Sequence, residues 1–124
     1  MNDNQLIYEV YYNNTGQSNY NGKYEDTDGV KYYKNSELHR DDGPAIENND
    51  GSVGWFQKGQ FHREDGPAIL GKDMKEVYAL KDKLYHDTNK WAEAVLELQG
   101  KPNDPESVAA FLKPILSKQA KELI

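Results

Sequence analysis

Two short stretches of the chain bring together residue types that do chemistry. In "LHRDDGPAI", Leu38–Ile46, a histidine, an arginine and two carboxylates stand side by side, and "FHREDGPAI", Phe61–Ile69, repeats the group 23 residues later. A histidine beside an acid can move a proton near neutral pH, and an arginine can hold an anionic substrate. Used that way, His39, Arg40, Asp41 and Asp42, or His62, Arg63, Glu64 and Asp65, would make a hydrolase or a small-ligand site. An active site needs one such constellation, however, whereas a repeating fold needs the same support in every unit. Recurrence in register favours support. Arg40 and Arg63 can fork onto Asp42 and Asp65, or onto a neighbouring unit's carboxylate or carbonyl, and brace a corner. His39 and His62 can pack beside an aromatic strand while bonding a backbone group, which leaves Asp41 and Glu64 to solvent.

Three sharper chemistries fail on spacing. "HRD" at His39–Asp41 matches the start of a kinase catalytic loop, but Ile46 stands where that loop needs an asparagine. "DTDG" at Asp26–Gly29 suggests a calcium loop, yet Tyr24 and Asn35 occupy the places of its first carboxylate and terminal glutamate. It reads as a hairpin turn. His39 and His62 share a register position with Tyr85, so His86 is offset by one residue and faces away from any three-histidine metal site. No metal and no cofactor are expected.

The elements that must position these groups are repeats. Residues 30–52 and 53–75 align with nine identities in 23 positions, and a shortened third unit covers 76–86. Tyr32, Trp55 and Tyr78 align, as do Leu38, Phe61 and Leu84. Each unit reads as an aromatic or β-branched strand (Val30–Lys34, Val53–Gln57, Val77–Leu80), a two-residue turn (Asn35-Ser36, Lys58-Gly59, Asp82-Lys83) and a short second strand. Asp-Gly-Pro then makes a corner, with Gly43 and Gly66 free to take positive φ and Pro44 and Pro67 fixing the exit. Alternation puts Val30 with Tyr32, and Val53 with Trp55, on a core-facing side, and Trp55 with Phe61 at the centre of an apolar ladder.

This pattern resembles the MORN-type hairpin repeats, and its "LHR-[DE]-DGPA" form is similar to repeats in small proteins of large bacteriophages and other large DNA viruses. The resemblance covers residues 28–86 and implies a binding scaffold with no shared chemistry of its own.

Outside the repeats the composition changes. Residues 6–29 hold five of the nine tyrosines, and residues 1–30 carry five acids against one lysine. This segment reads both as a divergent capping hairpin and as a recognition surface: Tyr11, Tyr12, Tyr20 and Tyr24 as rigid anchors, Glu25, Asp26 and Asp28 as steering charges. In residues 87–124 the period becomes helical. Asp87 or Thr88 caps a helix to about Gln99 with Trp91, Val95 and Leu98 on one face. Asp104 and Pro105 start a second helix with a Val108, Phe111, Leu112, Ile115 stripe, which Pro114 kinks or restarts. These helices cover the sheet; their surplus apolar surface also suits a homodimer contact.

The expected fold is therefore α+β: an antiparallel β-meander of stacked hairpin repeats with two C-terminal helices, read as one domain of three regions (1–29, 30–86 and 87–124). With 36% hydrophobic residues the core must be thin, and zero cysteines suit a reducing compartment. There is no signal-like start and no run of about 18 apolar residues, so a cytoplasmic location is expected. The net charge of −6 repels phosphate backbones and anionic lipids and favours a protein partner with a basic surface. A non-enzymatic protein-binding module is the expected function. The viral resemblance implies a phage-encoded inhibitor of a host defence or nucleic-acid-handling protein. A purely structural scaffold is the remaining alternative.

Overall fold

Every unit of the repeat turns back through a pair of left-handed residues, and that local choice sets the architecture. The φ values are 51° and 66° at Asn35 and Ser36, 50° and 77° at Lys58 and Gly59, and 48° and 69° at Lys81 and Asp82. Two successive positive φ angles make the mirror-image turn whose twist matches that of paired strands. The third turn is thus Lys81-Asp82, one residue before the expected Asp82-Lys83, and it keeps the 23-residue spacing of the other two.

The computed structural model describes the backbone of residues 6–12, 18–73 and 75–122, and the side chains of residues 21–73 and 75–118. Its strands are β1 (Leu6–Tyr12), β2 (Ser18–Glu25), β3 (Gly29–Lys34), β4 (Glu37–Leu38), β5 (Ile46–Asn48), β6 (Val53–Gly54), β7 (Phe56–Gln57), β8 (Gln60–Phe61), β9 (Ile69–Leu70), β10 (Glu76–Leu80) and β11 (Lys83–Tyr85). Two helices follow, α1 (Thr88–Leu98) and α2 (Pro105–Glu122). The sheet runs β1-β2-β3-β5-β6-β9-β10-β11, with β4 against β3, and β7-β8 form a separate pair. All pairings are antiparallel. The fold is the α+β meander with two C-terminal helices that the sequence led us to expect.

Within a unit, the long strand is used twice on one side. The far half of β3 pairs with β4 (Lys34 opposite Glu37), and its near half with β5 (Lys31 opposite Ile46). Between those two partners lies the Asp-Gly-Pro corner. Ala45 and Ala68 after it are fully buried and carry the ladder onward: Ala45 N–H donates to Gly54 O at 2.8 Å, and Ala68 N–H to Val77 O at 2.9 Å. The strand expected over Val53–Gln57 is interrupted at Trp55, whose N–H donates to Ala68 O.

The core lies at the C-terminal end. Tyr78 and Leu80 of β10 pack with Trp91, Ala92, Val95 and Leu96 of α1 and Val108 and Leu112 of α2. The rings of Tyr78 and Trp91 lie 4.6 Å apart, and those of Trp91 and Phe111 5.7 Å. The expected ladder is therefore corrected. Val30, Tyr32, Leu38, Val53, Trp55 and Phe61 are only half-buried, and Leu84 is exposed. The reason is placement: the helices follow the third unit and pack on β10, so the helical core takes in Tyr78 and Leu80 but not the aligned residues of the first two units. Phe56, the neighbour of Trp55 on the other side of the strand, is buried instead and meets Phe61 at 4.2 Å.

Helix ends follow their local chemistry. The Asp87 carboxylate accepts from Asn89 N–H at 2.9 Å, and Gly100 (φ 70°) closes α1 with Gly100 N–H on Glu97 O and Lys101 N–H on Leu96 O. Leu98, expected on the buried face, is exposed, and Leu96 takes its place. Asp104 stands before Pro105 and accepts from the Ser107 hydroxyl at 2.6 Å. α2 continues through Pro114 as one helix rather than restarting. Phe111 and Ile115 pack against the core, and among the described residues Leu98 and Leu116 are the large hydrophobic side chains of the helices left exposed. Leu123 and Ile124 lie outside the described residues. Among the described residues, no helix is long and apolar enough to cross a membrane.

Candidate functional site

Each His-Arg-acid group sits at the end of a hairpin's second strand, beside the tip of the next hairpin. The histidine joins the two. Lys58 N–H donates to His39 Nδ1 at 3.0 Å, and Lys81 N–H to His62 Nδ1 at 3.1 Å. An acceptor at Nδ1 places the ring hydrogen on Nε2, which then donates to the adjoining acid. His39 Nε2 meets Asp41 Oδ1 at 2.9 Å, and His62 Nε2 meets Glu64 Oε2 at 2.8 Å. Both ring nitrogens of both histidines are thus engaged. Asn21 makes the corresponding contact for the first tip, its Oδ1 accepting from Asn35 N–H at 2.9 Å.

The arginine holds its own unit's corner. Arg40 Nε donates to Asp42 Oδ1 at 2.9 Å and Nη1 to Pro44 O at 3.2 Å; Arg63 makes the same bonds to Asp65 at 2.7 Å and Pro67 O at 3.1 Å. Each guanidinium also lies on an aromatic ring, 4.1 Å from the centroid of Tyr32 for Arg40 and 3.8 Å from that of Trp55 for Arg63. Glycine covers the opposite side. A Cβ on Gly43 would stand 2.8 Å from Arg40 Cζ, and one on Gly66 2.7 Å from Arg63 Cζ. Neither glycine has a positive φ, so the expected backbone reason for them is wrong. They are needed because the guanidinium is clasped between ring and backbone.

Of the two acids expected in solvent, Asp41 is exposed and Glu64 is half-buried. Asp41 nonetheless accepts from Gln57 Nε2 at 3.1 Å as well as from His39. Those bonds, Gln57's first, hold its carboxyl below the usual range. Burial pushes the half-buried Glu64 up, but bonds from His62 and Gln99 outweigh it and leave the carboxyl lowered.

Helix α1 completes the second unit by imitation. In the first unit, the single amide of Gln57 donates both to Arg40 O at 3.3 Å and to Asp41. In the second, Leu80 stands at the Gln57 position, and α1 with its C-cap supplies the donors. Trp91 Nε1 donates to Arg63 O at 3.2 Å, and Gln99 Nε2 to Glu64 Oε1 at 3.0 Å. Sequence reasoning missed Asn21, Gln57, Trp91 and Gln99 in these roles. The one signal that could have found some of them is the register, which sets 35, 58 and 81 as equivalent tips.

The residues expected to bind a partner are spread along the β1–β2 hairpin rather than gathered. Leu6 pairs with Tyr24 and Tyr12 with Ser18, so Glu25, Asp26 and Asp28 stand near one end, and Tyr11, Tyr12 and Tyr20 near the other, about 20 Å away. The side chains of Tyr11, Tyr12 and Tyr20, and the segment Asn13–Gln17, lie outside the described residues. Tyr24 is half-buried. Glu25 pairs with Lys23 at 2.8 Å. Asp26 is a turn residue, accepting from Asp28 N–H at 2.8 Å and Gly29 N–H at 3.1 Å. Asp28 is exposed. Among the described residues, no three His, Asp or Glu side chains are grouped to hold a metal ion. Compared with protein-family models, curated proteins and solved structures, the chain matches none.

Proposed function

We propose that this protein is a non-enzymatic protein-binding module that engages its partner along β1. The observation that carries the reading is the edge itself. Among the described residues, β1 pairs only with β2, leaving one side of the seven-residue strand LIYEVYY open. Edge strands are commonly guarded by charged side chains, proline or a bulge, and this one has a single charge, Glu9, and no lysine or proline. A partner segment adds to such an edge through backbone bonds, with alternate side chains giving selectivity. The acids at its Leu6 end attract a basic surface and raise the rate of encounter. The hydrolase alternative is weakened because both ring nitrogens of His39 and His62 are engaged, Nδ1 by the next hairpin tip and Nε2 by the adjoining acid. The resemblance to viral repeats supplies the wider reading: a phage-encoded inhibitor, acting in the host cytoplasm on a defence or nucleic-acid-handling protein.

The test is capture from bacterial lysate followed by binding kinetics on the captured protein. Successive strand residues point their N–H groups to opposite sides, so Glu9→Pro and Val10→Pro separate the open edge from the β1–β2 ladder. One of the two should keep the fold and lose at least tenfold in affinity. Glu25→Lys with Asp28→Lys should slow association and flatten its salt dependence. Unchanged binding by both proline variants would overturn the assignment to β1.

A further inference from the structure

The stack of hairpins has a second open end, at β11, and the fold itself shows twice what fits there. In a two-residue hairpin, the residue two places past the turn is in a non-hydrogen-bonded pair, so its N–H and C=O point away from its partner strand. Leu38, Phe61 and Leu84 hold that position, opposite Tyr33, Phe56 and Ala79. The next tip takes the first two. Gly59 N–H donates to Leu38 O at 2.9 Å. Asp82 grips Phe61 from both sides, its N–H on Phe61 O at 2.9 Å and its carboxylate accepting Phe61 N–H at 2.7 Å.

No further unit follows Leu84. Its outward N–H and C=O have no partner among the described residues, its side chain is 49% exposed, and β11 ends the sheet. A cleft of about 480 Å³ opens between β11 and α1, with Leu84 and Lys83 on the strand side and Lys90, Ala94 and Glu97 on the helix side. Tyr85, in the place of His39 and His62, packs against the core, so this seat lacks the histidine acceptor and keeps the backbone pair.

The geometry points to the outer edge of β11 as the seat for a β-turn of a partner protein, one with two left-handed residues of which the second is an aspartate. Its N–H would meet Leu84 O, its carboxylate Leu84 N–H, and its flank the cleft. A second copy of this chain is disfavoured as the occupant. Its three tight tips are already seated at home, with Asn35, Lys58 and Lys81 N–H on Asn21, His39 and His62. This site is separate from the β1 edge and does not depend on it.

The probe is a disulfide-closed hairpin peptide carrying residues 76–85, added to the isotope-labelled full chain. Amide shifts should move at Lys83–His86. Asp82→Ala in the peptide and Leu84→Pro in the protein should each weaken binding about tenfold, the loss of one charge-assisted bond. Leu84→Pro removes the outward N–H and the leucine side chain at the cleft, neither of which belongs to the β10–β11 ladder, and an otherwise unchanged amide spectrum checks that the fold is kept. The Glu9→Pro and Val10→Pro variant that stays folded should bind the peptide normally, so failure at β1 and failure here are distinguishable. No shifts with millimolar peptide, or shifts centred on Phe61 or β1, would overturn the proposal. So would self-association of the protein alone that Leu84→Pro abolishes, since that assigns the seat to a second copy.

Discussion

Replacing Gly66 by alanine should destabilise the protein through an arginine three residues away. The added methyl would sit 2.7 Å from Arg63 Cζ and 2.9 Å from Nη1, distances that van der Waals contact does not allow. The guanidinium cannot retreat, because the Trp55 ring lies behind it at 3.8 Å. It must leave the clasp. It then forfeits a cation–π contact of about 0.5–2 kcal/mol and two hydrogen bonds of about 0.5–1.5 kcal/mol each, the one to Asp65 discounted because that carboxylate is 75% exposed. The total is about 2–3 kcal/mol, read as a lowered urea midpoint at constant slope, or as a fall in Tm of about 10 °C. Since Gly66 is not left-handed, no backbone strain adds to this. The decisive measurement is a double-mutant cycle. In an Arg63→Ala background the alanine has room, so Gly66→Ala should cost nothing or stabilise slightly, by about 0.5 kcal/mol. If Gly66→Ala cost the same with and without Arg63, the clasp would not be the reason for the glycine.

Other outcomes follow from the joints and the core. Glu64 is lowered in the folded chain, so the stability it contributes is present above its unfolded value of about 4.5 and is lost as pH falls through the folded value; Glu64→Gln should flatten Tm against pH in that acid range. Trp91→Ala should cost about 3–5 kcal/mol, seen in urea unfolding, because a fully buried ring is removed and Arg63 O loses its donor. Lys58→Asn should raise stability by about 0.5–1 kcal/mol, because φ is 50° there and asparagine followed by glycine suits this turn better; an unchanged urea midpoint would refute the turn assignment.

What could be read in the sequence was whatever a residue imposes on its immediate neighbours. The hairpin repeat, the arginine–aspartate pairs, Asp87 as a cap and Asp104-Pro105 as a helix start all depend on contacts within a few positions. What failed depended on distant chain. The role of Gly43 and Gly66 could not be read, because an arginine folded back over them is invisible in composition and their turn-like context suggested φ instead. Trp55 looked like core because it is aromatic and in register, but which strand the helices would cover is a tertiary fact. They cover Tyr78 and leave Trp55 to an arginine. The turn at Lys81-Asp82 was missed by one residue because Asp-Lys and Lys-Asp look alike as local turn signals. The unmet half of the candidate site, the open seat at Leu84, becomes visible only when the filled seats at Leu38 and Phe61 are compared with it.

Because Trp91 and Gln99 make for the second unit the bonds that Gln57 makes for the first, the helices recognise a generic unit end. A tandem copy of residues 53–75 would offer its own Gln57 to Arg63 and Glu64 behind it, and its own Arg63 and Glu64 to the helices ahead. The sheet's length is therefore a variable that duplication can change while both ends keep their chemistry. Repeat number then acts as a ruler, fixing how far apart two surfaces at opposite ends are held. A partner that touches both would select for one count of units.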